Sequence, residues 1–200
     1  MTNIETLDDW WKYVVDYLNE KKVTFFVHGS TLLQSVRTKN FTERQTFDRE
    51  LNFGMRAEDI SAQFLSDLKK DFPYFNATGD KKDNALIYFG PEPIIKYLSI
   101  NKDHWSMKPG IALIATFWKA DTKWVEYMGG DVCLTWPRFQ LDQLSVMEVN
   151  GRRVATPFDK HAWLSHYFGD DYMIENQGWH WSQDSHNRET YEDMVQTEHL

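Results

Sequence analysis

The sequence predicts a protein of the α+β class. Three helical apolar patterns and two short strand-like segments fall within the first 72 residues, whereas residues 85–128 contain a run of strand-like segments separated by polar turns. The chain has 200 residues, of which 42% are hydrophobic and 16% are aromatic. That composition is typical of a globular core and argues against disorder. We therefore expect a single domain over residues 1–200.

Charge and cysteine content restrict the classes of partner. The net charge of -8 argues against a broad nucleic-acid surface, because phosphate backbones are bound by clustered Lys and Arg. Cys133 is the only cysteine, which excludes an intrachain disulfide and a zinc site built on several cysteines. No stretch reaches the roughly 18 apolar residues that a membrane-spanning helix needs. These features predict a cytoplasmic protein with no membrane span.

The first 37 residues predict a helix, a strand and a second helix. Residues 6–20 are expected to form an amphipathic helix whose apolar stripe consists of Trp10, Trp11, Val14, Val15 and Leu18. Residues 23–27 are rich in β-branched and aromatic side chains and predict a short strand. Gly29 and Ser30 end that strand, and residues 31–37 predict one or two helical turns capped by Ser30.

The remaining elements follow from the same periodicities. A polar loop is expected at 38–46, and a strand at 47–53 with Gly54 as its stop. Further elements are expected in this order: a helix at 57–72, strands at 85–89, 94–100, 111–118 and 124–128, and a last helix at 157–168.

The Gly29-Ser30 pair stands where a phosphate group could bind. The first backbone N–H groups of a helix have no intrahelical partner and lie at the positive end of the helix dipole. Gly29 permits close approach because it lacks a Cβ, Ser30 can add its hydroxyl, and Arg37 could form a bidentate contact with a phosphate. The alternative is an ordinary strand-to-helix turn followed by a surface arginine.

The next strand carries oxygen ligands on alternate positions. Asp48, Glu50 and Asn52 share one face, because successive side chains of a strand point to opposite faces. Such a set could hold Mg²⁺ or Mn²⁺ beside the phosphates of a nucleotide. The alternative is a solvated strand face with no ligand.

Taken together, the two segments resemble the nucleotidyltransferase fold. The text from Gly29 through Arg37, followed by Lys39 and Phe41, resembles the signature of the LicD/fukutin-like family, and residues 48–55 stand where that family has an acid-rich strand ending in Gly-Met. The C-terminal part is also similar to the family's closing segment. The similar stretches there are 136–139, 154–157, 163–164, 167–173, 179–181 and 186–187.

The resemblance implies a mixed sheet flanked by helices and a transferase function. It divides the domain into a phosphate and metal unit (1–56), a helix with strands (57–135) and a C-terminal segment (136–200). Members of this family move a phosphorylated small group, such as phosphocholine or a sugar-alcohol phosphate, from a CTP-derived donor to a hydroxyl acceptor such as a glycan. The implied metal ligands are Asp48, Glu50 and Asn52, the first two also being catalytic. The implied nucleotide ligands are Gly29, Ser30, Arg37 and Lys39.

This chain departs from the family at the acidic residues. The family's Asp-hydrophobic-Asp falls on Glu50-Leu51-Asn52, and the later strand at 111–118, where a third acid is expected, contains no carboxylate. The metal site is therefore expected to be weak or lost, unless an acid from Asp121, Glu126 or Asp131 replaces the missing one. The alternative function is a protein that binds a nucleotide, sugar or protein partner without turnover.

His28 and the aromatic tail offer two further candidates. His28 is expected to be a half-buried, hydrogen-bonded histidine, the alternative being a general base for the acceptor hydroxyl. Trp179, His180, Trp181 and His186 are expected to be packing residues, although a Trp could also stack on a sugar or a base.

Overall fold

The computed structural model contains both helices and strands. It describes residues 7–38, 50–72, 76–78, 86–89, 111–119, 122–129, 132–174 and 188–190. Its helices are α1 (Leu7–Glu20), α2 (Gly29–Thr38), α3 (Ala62–Asp71), α4 (Phe139–Asp142) and α5 (Lys160–Phe168), with a 3₁₀ turn at Ala57–Asp59. Its strands are β1 (Phe26–Val27), β2 (Glu50–Arg56), β3 (Asn76–Thr78), β4 (Leu86–Phe89), β5 (Ile111–Lys119), β6 (Lys123–Gly129), β7 (Val132–Pro137), β8 (Ser145–Val149), β9 (Arg152–Thr156) and β10 (Arg188–Thr190). The predicted α+β class is confirmed.

One sheet contains most of the described strands. Its strands lie in the order β1-β2-β5-β6-β7-β10, and β3 and β4 extend it through the pairing of β4 with β5. β2 and β5 are parallel, whereas β1 is antiparallel to β2 and β6 is antiparallel to β5. β8 and β9 form a separate antiparallel hairpin. The strand that carries Glu50 and Asn52 is therefore an inner strand with a partner on each side.

The apolar stripe of α1 covers one face of the sheet. Trp11 is fully buried and stacks on Phe53 of β2, with ring centroids 5.6 Å apart. The same indole donates a hydrogen bond of 3.1 Å to the carbonyl oxygen of Val149 in the β8–β9 hairpin. The predicted helix at residues 6–20 is thus confirmed, and it packs between the sheet and the hairpin.

An aromatic cluster covers the opposite face. Phe26 lies next to Phe117 of β5 and Trp163 of α5, and Trp163 stacks on Trp136 of β7 at 4.2 Å. A Cβ added to Gly54 would lie 2.2 Å from the ring of Phe26, so only glycine leaves room for that ring. Gly54 was expected to end the strand, and that prediction is wrong because β2 continues to Arg56.

Most predicted elements overlap observed ones, but β3, β7, β10, α4 and one hairpin were not predicted. α2, β5, β6 and α5 overlap the predicted ranges. α2 begins at Gly29, so Ser30 lies inside the helix and the prediction that it caps the helix is wrong, and α5 begins at Lys160 with Asp159 as its N-cap. The predicted helix at 57–72 divides into the 3₁₀ turn and α3, whose N-cap is Ser61. The β8–β9 hairpin was not predicted. Its turn is Asn150-Gly151, with positive φ at both residues, which is a strong hairpin signal.

Several predicted features lie outside the described residues. They are the strand at 94–100, the tail residues 179–187 and most of the loop predicted at 38–46, whose first residue, Thr38, instead belongs to α2. Within the described ranges, no helix is both long enough and apolar enough to cross a membrane.

Candidate functional site

The turn between β1 and α2 brings Gly29 against the middle of β2. Gly29 is the first residue of α2 and has a φ of +56°, a left-handed conformation that favours glycine. A Cβ at this position would lie 3.4 Å from both Cβ and Cγ of Asn52. Gly29 is therefore favoured by its backbone conformation, and a Cβ at this position would be in van der Waals contact with Asn52.

Asn52 joins the start of α2 to β2 by hydrogen bonds. Its backbone N–H donates to Thr31 Oγ1 at 2.7 Å, and its side-chain Nδ2 donates to Ser30 Oγ at 2.7 Å and to Thr31 Oγ1 at 3.4 Å. The Asn52 side chain is only 7% exposed. The backbone carbonyl of Asn52 in turn accepts from the N–H of His28 at 3.3 Å. Two of the predicted site residues, Ser30 and Asn52, are thus in direct contact.

The other predicted ligands are only partly described. Glu50 is the first residue of β2 and pairs with Ile111, but its side chain lies outside the described part. Lys39 and Asp48 lie outside the described residues, and their assigned roles remain predictions.

The possible replacement acids are no better placed. Asp121 and Asp131 are also outside the described residues, while Glu126 belongs to β6, which is separated from β2 by β5. No described contact brings any of them to Asn52.

No cluster of carboxylates occurs in the described part of the site. Asn52 is neutral, and its amide nitrogen is used in hydrogen bonds to the turn. β5, which runs parallel beside β2, places Leu113 opposite Asn52 and has no carboxylate anywhere along its length. Among the described residues, no three His, Cys, Asp or Glu side chains form a group that could hold a metal ion. Binding of Mg²⁺ or Mn²⁺ through Asp48 and Glu50 remains a prediction.

Arg37 lies at the other end of α2 from the turn. Eight residues of helix place its Cα roughly 12 Å from that of Gly29. Its guanidinium donates to the carbonyl oxygens of Tyr172 and Ile174, the latter at 3.0 Å. The described contacts therefore join Arg37 to the segment after α5 and do not bring it to Ser30, so its phosphate-binding role remains a prediction.

His28 is buried more deeply than expected. Its ring is 1% exposed and lies next to the rings of Phe26, Phe117 and Tyr167 at centroid distances of 5.5 to 6.5 Å. Burial lowers the pKa of His28 from 6.5 to about 3. A general base must contact the proton that it removes, and this imidazole lies inside the aromatic cluster, so the general-base alternative does not fit.

Thr31 is a site residue that the sequence did not reveal. It is fully buried, and its hydroxyl oxygen accepts from Asn52 while the Ser35 hydroxyl donates to its backbone carbonyl at 2.6 Å. The signal in the sequence was the hydroxyl residue directly after Gly29-Ser30, but Thr31 was predicted only as part of the helix.

No protein-family model and no curated protein sequence matches the chain. The basis for a function is therefore the contact of Ser30 and Thr31 with Asn52, together with the motifs of the sequence.

Proposed function

We propose that this protein is a LicD/fukutin-like transferase. It moves a phosphorylated small group, of the phosphocholine or sugar-alcohol phosphate type, from a CTP-derived donor to a hydroxyl acceptor. The observation that carries the proposal is the hydrogen bond of 2.7 Å between Asn52 Nδ2 and Ser30 Oγ. It joins the predicted phosphate turn to the predicted ligand strand, two segments separated by 22 residues.

The sheet around the turn supports the same proposal. β1 runs into the turn, β2 lies antiparallel beside it, and β5 lies parallel to β2 on the far side. Helices α1 and α5 cover opposite faces through Trp11 and Trp163. The turn thus lies in a mixed sheet with helices packed on both faces.

The turn offers the donor a site for its phosphates. The first N–H groups of α2 favour an anion, and Ser30 at the start of this helix is only half-buried. In the transfer, the acceptor oxygen bonds to phosphorus, the bond from phosphorus to the departing cytidine monophosphate breaks, and the acceptor proton passes to a base. Asp48 and Glu50 are the proposed catalytic carboxylates for that step.

A second candidate function is binding of the nucleotide donor without turnover. The specific observation in its favour is the absence of carboxylates on β5, the strand beside Glu50 and Asn52. A site with fewer acids would still bind phosphate groups at the turn, but it would transfer them slowly or not at all.

The test is a calorimetric titration of CTP, CDP and a CDP-linked alditol, combined with detection of cytidine monophosphate release in the presence of a hydroxyl acceptor. We expect CDP and the CDP-linked donor to bind with micromolar to millimolar affinity. Ser30→Ala should weaken binding about tenfold through loss of a hydrogen bond to an anion. The matched control is Ser66→Ala, at an exposed position of α3.

The two functions differ in turnover. Release of cytidine monophosphate that is lost in Glu50→Ala and kept in the exposed control Glu148→Ala supports the transferase. Binding without release supports the second candidate. If none of the three ligands binds, both functions are wrong.

A further inference from the structure

Residue 52 is an asparagine at a position where the resemblance to the LicD/fukutin-like family implies a metal ligand. An asparagine amide has both a donor and an acceptor, whereas an ionised aspartate can only accept hydrogen bonds. Asn52 uses its donor, since Nδ2 points to Ser30 Oγ at 2.7 Å and to Thr31 Oγ1 at 3.4 Å. An ionised carboxylate at the same position could only accept from these two hydroxyls, and it would bring a negative charge to the site.

The surroundings of Asn52 explain why the difference in charge is important. The side chain is 7% exposed, and its cross-strand neighbour on β5 is Leu113. A buried carboxylate needs a compensating positive charge, and a divalent cation bound between carboxylates supplies it. A neutral amide needs no such compensation, because it carries no charge, and its Nδ2 donates to Ser30 and Thr31.

The neighbouring strand β5 offers no acidic side chain to a cation. β5 pairs in parallel register with the whole of β2, from Glu50 opposite Ile111 to Arg56 opposite Phe117. None of the residues of β5 carries a carboxylate. The affinity of oxygen sites for Mg²⁺ and Mn²⁺ depends on how many charged ligands they offer. The neighbouring strand β5 therefore contributes no charged ligand to a cation at Asn52.

We propose that the Asn52 amide takes the place of a divalent cation in this site, so that the turn at Gly29 is held to β2 by hydrogen bonds and works without a metal. The inference rests on the proposed function in one respect, since it treats this turn as the donor site. Asn52 is then a positioning residue and the determinant of metal dependence.

The first measurement uses Mn²⁺ alone as the probe. The signal of free Mn²⁺ in electron paramagnetic resonance is followed while MnCl₂ is titrated into the wild type, Asn52→Asp and Asn19→Asp. The last variant is the matched control, because it makes the same chemical change at an exposed position of α1. We expect the wild type and the control to leave Mn²⁺ free, and Asn52→Asp to bind it at least about tenfold more tightly.

Two results of this titration would overturn the inference. One is tight binding of Mn²⁺ by the wild type that is lost in Asn52→Ala. The other is a folded Asn52→Asp protein, as judged by its circular dichroism, that binds Mn²⁺ no more tightly than Asn19→Asp.

The second measurement needs no variant and separates this inference from the proposed function. CDP is titrated calorimetrically into the wild type in EDTA and in Mg²⁺. Equal affinity in the two buffers supports the inference. Binding that is at least about tenfold weaker in EDTA overturns it and leaves the proposed function standing. If CDP binds in neither buffer, the proposed function fails, whereas the Mn²⁺ titration still decides whether Asn52 replaces a cation.

Discussion

Burial of His28 should make the stability of the protein fall as the pH is lowered below neutrality. The ring is 1% exposed inside the aromatic cluster, and burial lowers its pKa from 6.5 to about 3. Below about pH 6.5 the unfolded chain binds a proton at His28 that the folded protein does not accept until the pH approaches 3. The contribution to stability is therefore complete above pH 6.5 and is lost as the pH falls toward 3.

The size of the effect follows from the two pKa values of His28. Each pH unit within that window lowers the free energy of unfolding by up to about 1.4 kcal/mol. Between about pH 7.5 and about pH 5 the unfolded state becomes protonated while the folded state does not, which corresponds to a loss of about 2 kcal/mol. A loss of that size is a large part of the stability of a typical domain.

Urea unfolding followed by tryptophan fluorescence measures this loss, because Trp11, Trp136 and Trp163 are buried in the fold. His28→Phe should remove about 2 kcal/mol of the pH dependence, since a phenyl ring suits the aromatic surroundings and takes up no proton. His161→Gln, at an exposed position of α5, is the matched control. If His28→Phe lost as much stability as the wild type over the same pH range, the assignment of the effect to His28 would be refuted.

Three substitutions test other parts of the fold. Gly54→Ala should lower the free energy of unfolding by about 3 kcal/mol or prevent folding, because the new Cβ would lie 2.2 Å from the buried ring of Phe26; a change below about 0.5 kcal/mol in urea unfolding would contradict that packing. Asp159→Ala should cost about 1 kcal/mol, since its carboxylate accepts from two backbone N–H groups of α5 at 3.0 Å. A stability equal to the wild type's would show that this cap is unimportant. The exposed pair of Asp16 and Arg152, 2.8 Å apart, should contribute less than about 1 kcal/mol in a double-mutant cycle and less still in about 1 M NaCl; a larger, salt-independent coupling would disprove this expectation.

Much of the local structure could be predicted because its signals are local. The stripe on α1 and the strand character of β5 depend on apolar residues that recur within one element. The β8–β9 hairpin was not predicted, although the Asn150-Gly151 dipeptide at its turn is a strong hairpin signal. Burial alternates along β8, but Val146 on the exposed face is apolar and Ser145 on the half-buried face is polar, so the alternation of apolar and polar residues that predicts a strand is weak there.

The candidate site could be predicted only in part. Ser30 and Asn52 were named from the motifs, and the structure brings them into contact. Arg37 was assigned to the phosphate group from its distance along the helix. Its contacts with the carbonyl oxygens of Tyr172 and Ile174 depend on residues about 135 positions later, which no local pattern encodes.

The sequence by itself determined the α+β class, the positions of the main helices and strands, and the Gly29-Ser30 turn as the point of interest, because these depend on local spacing and on the conformational freedom of glycine. Only the tertiary structure decided the hydrogen bonds that Asn52 makes, the burial of His28 and the acid-free strand that runs beside Glu50. Strand order, register and burial arise when distant segments pack together. The charge balance of a site depends on that packing, and a list of its residues does not specify it.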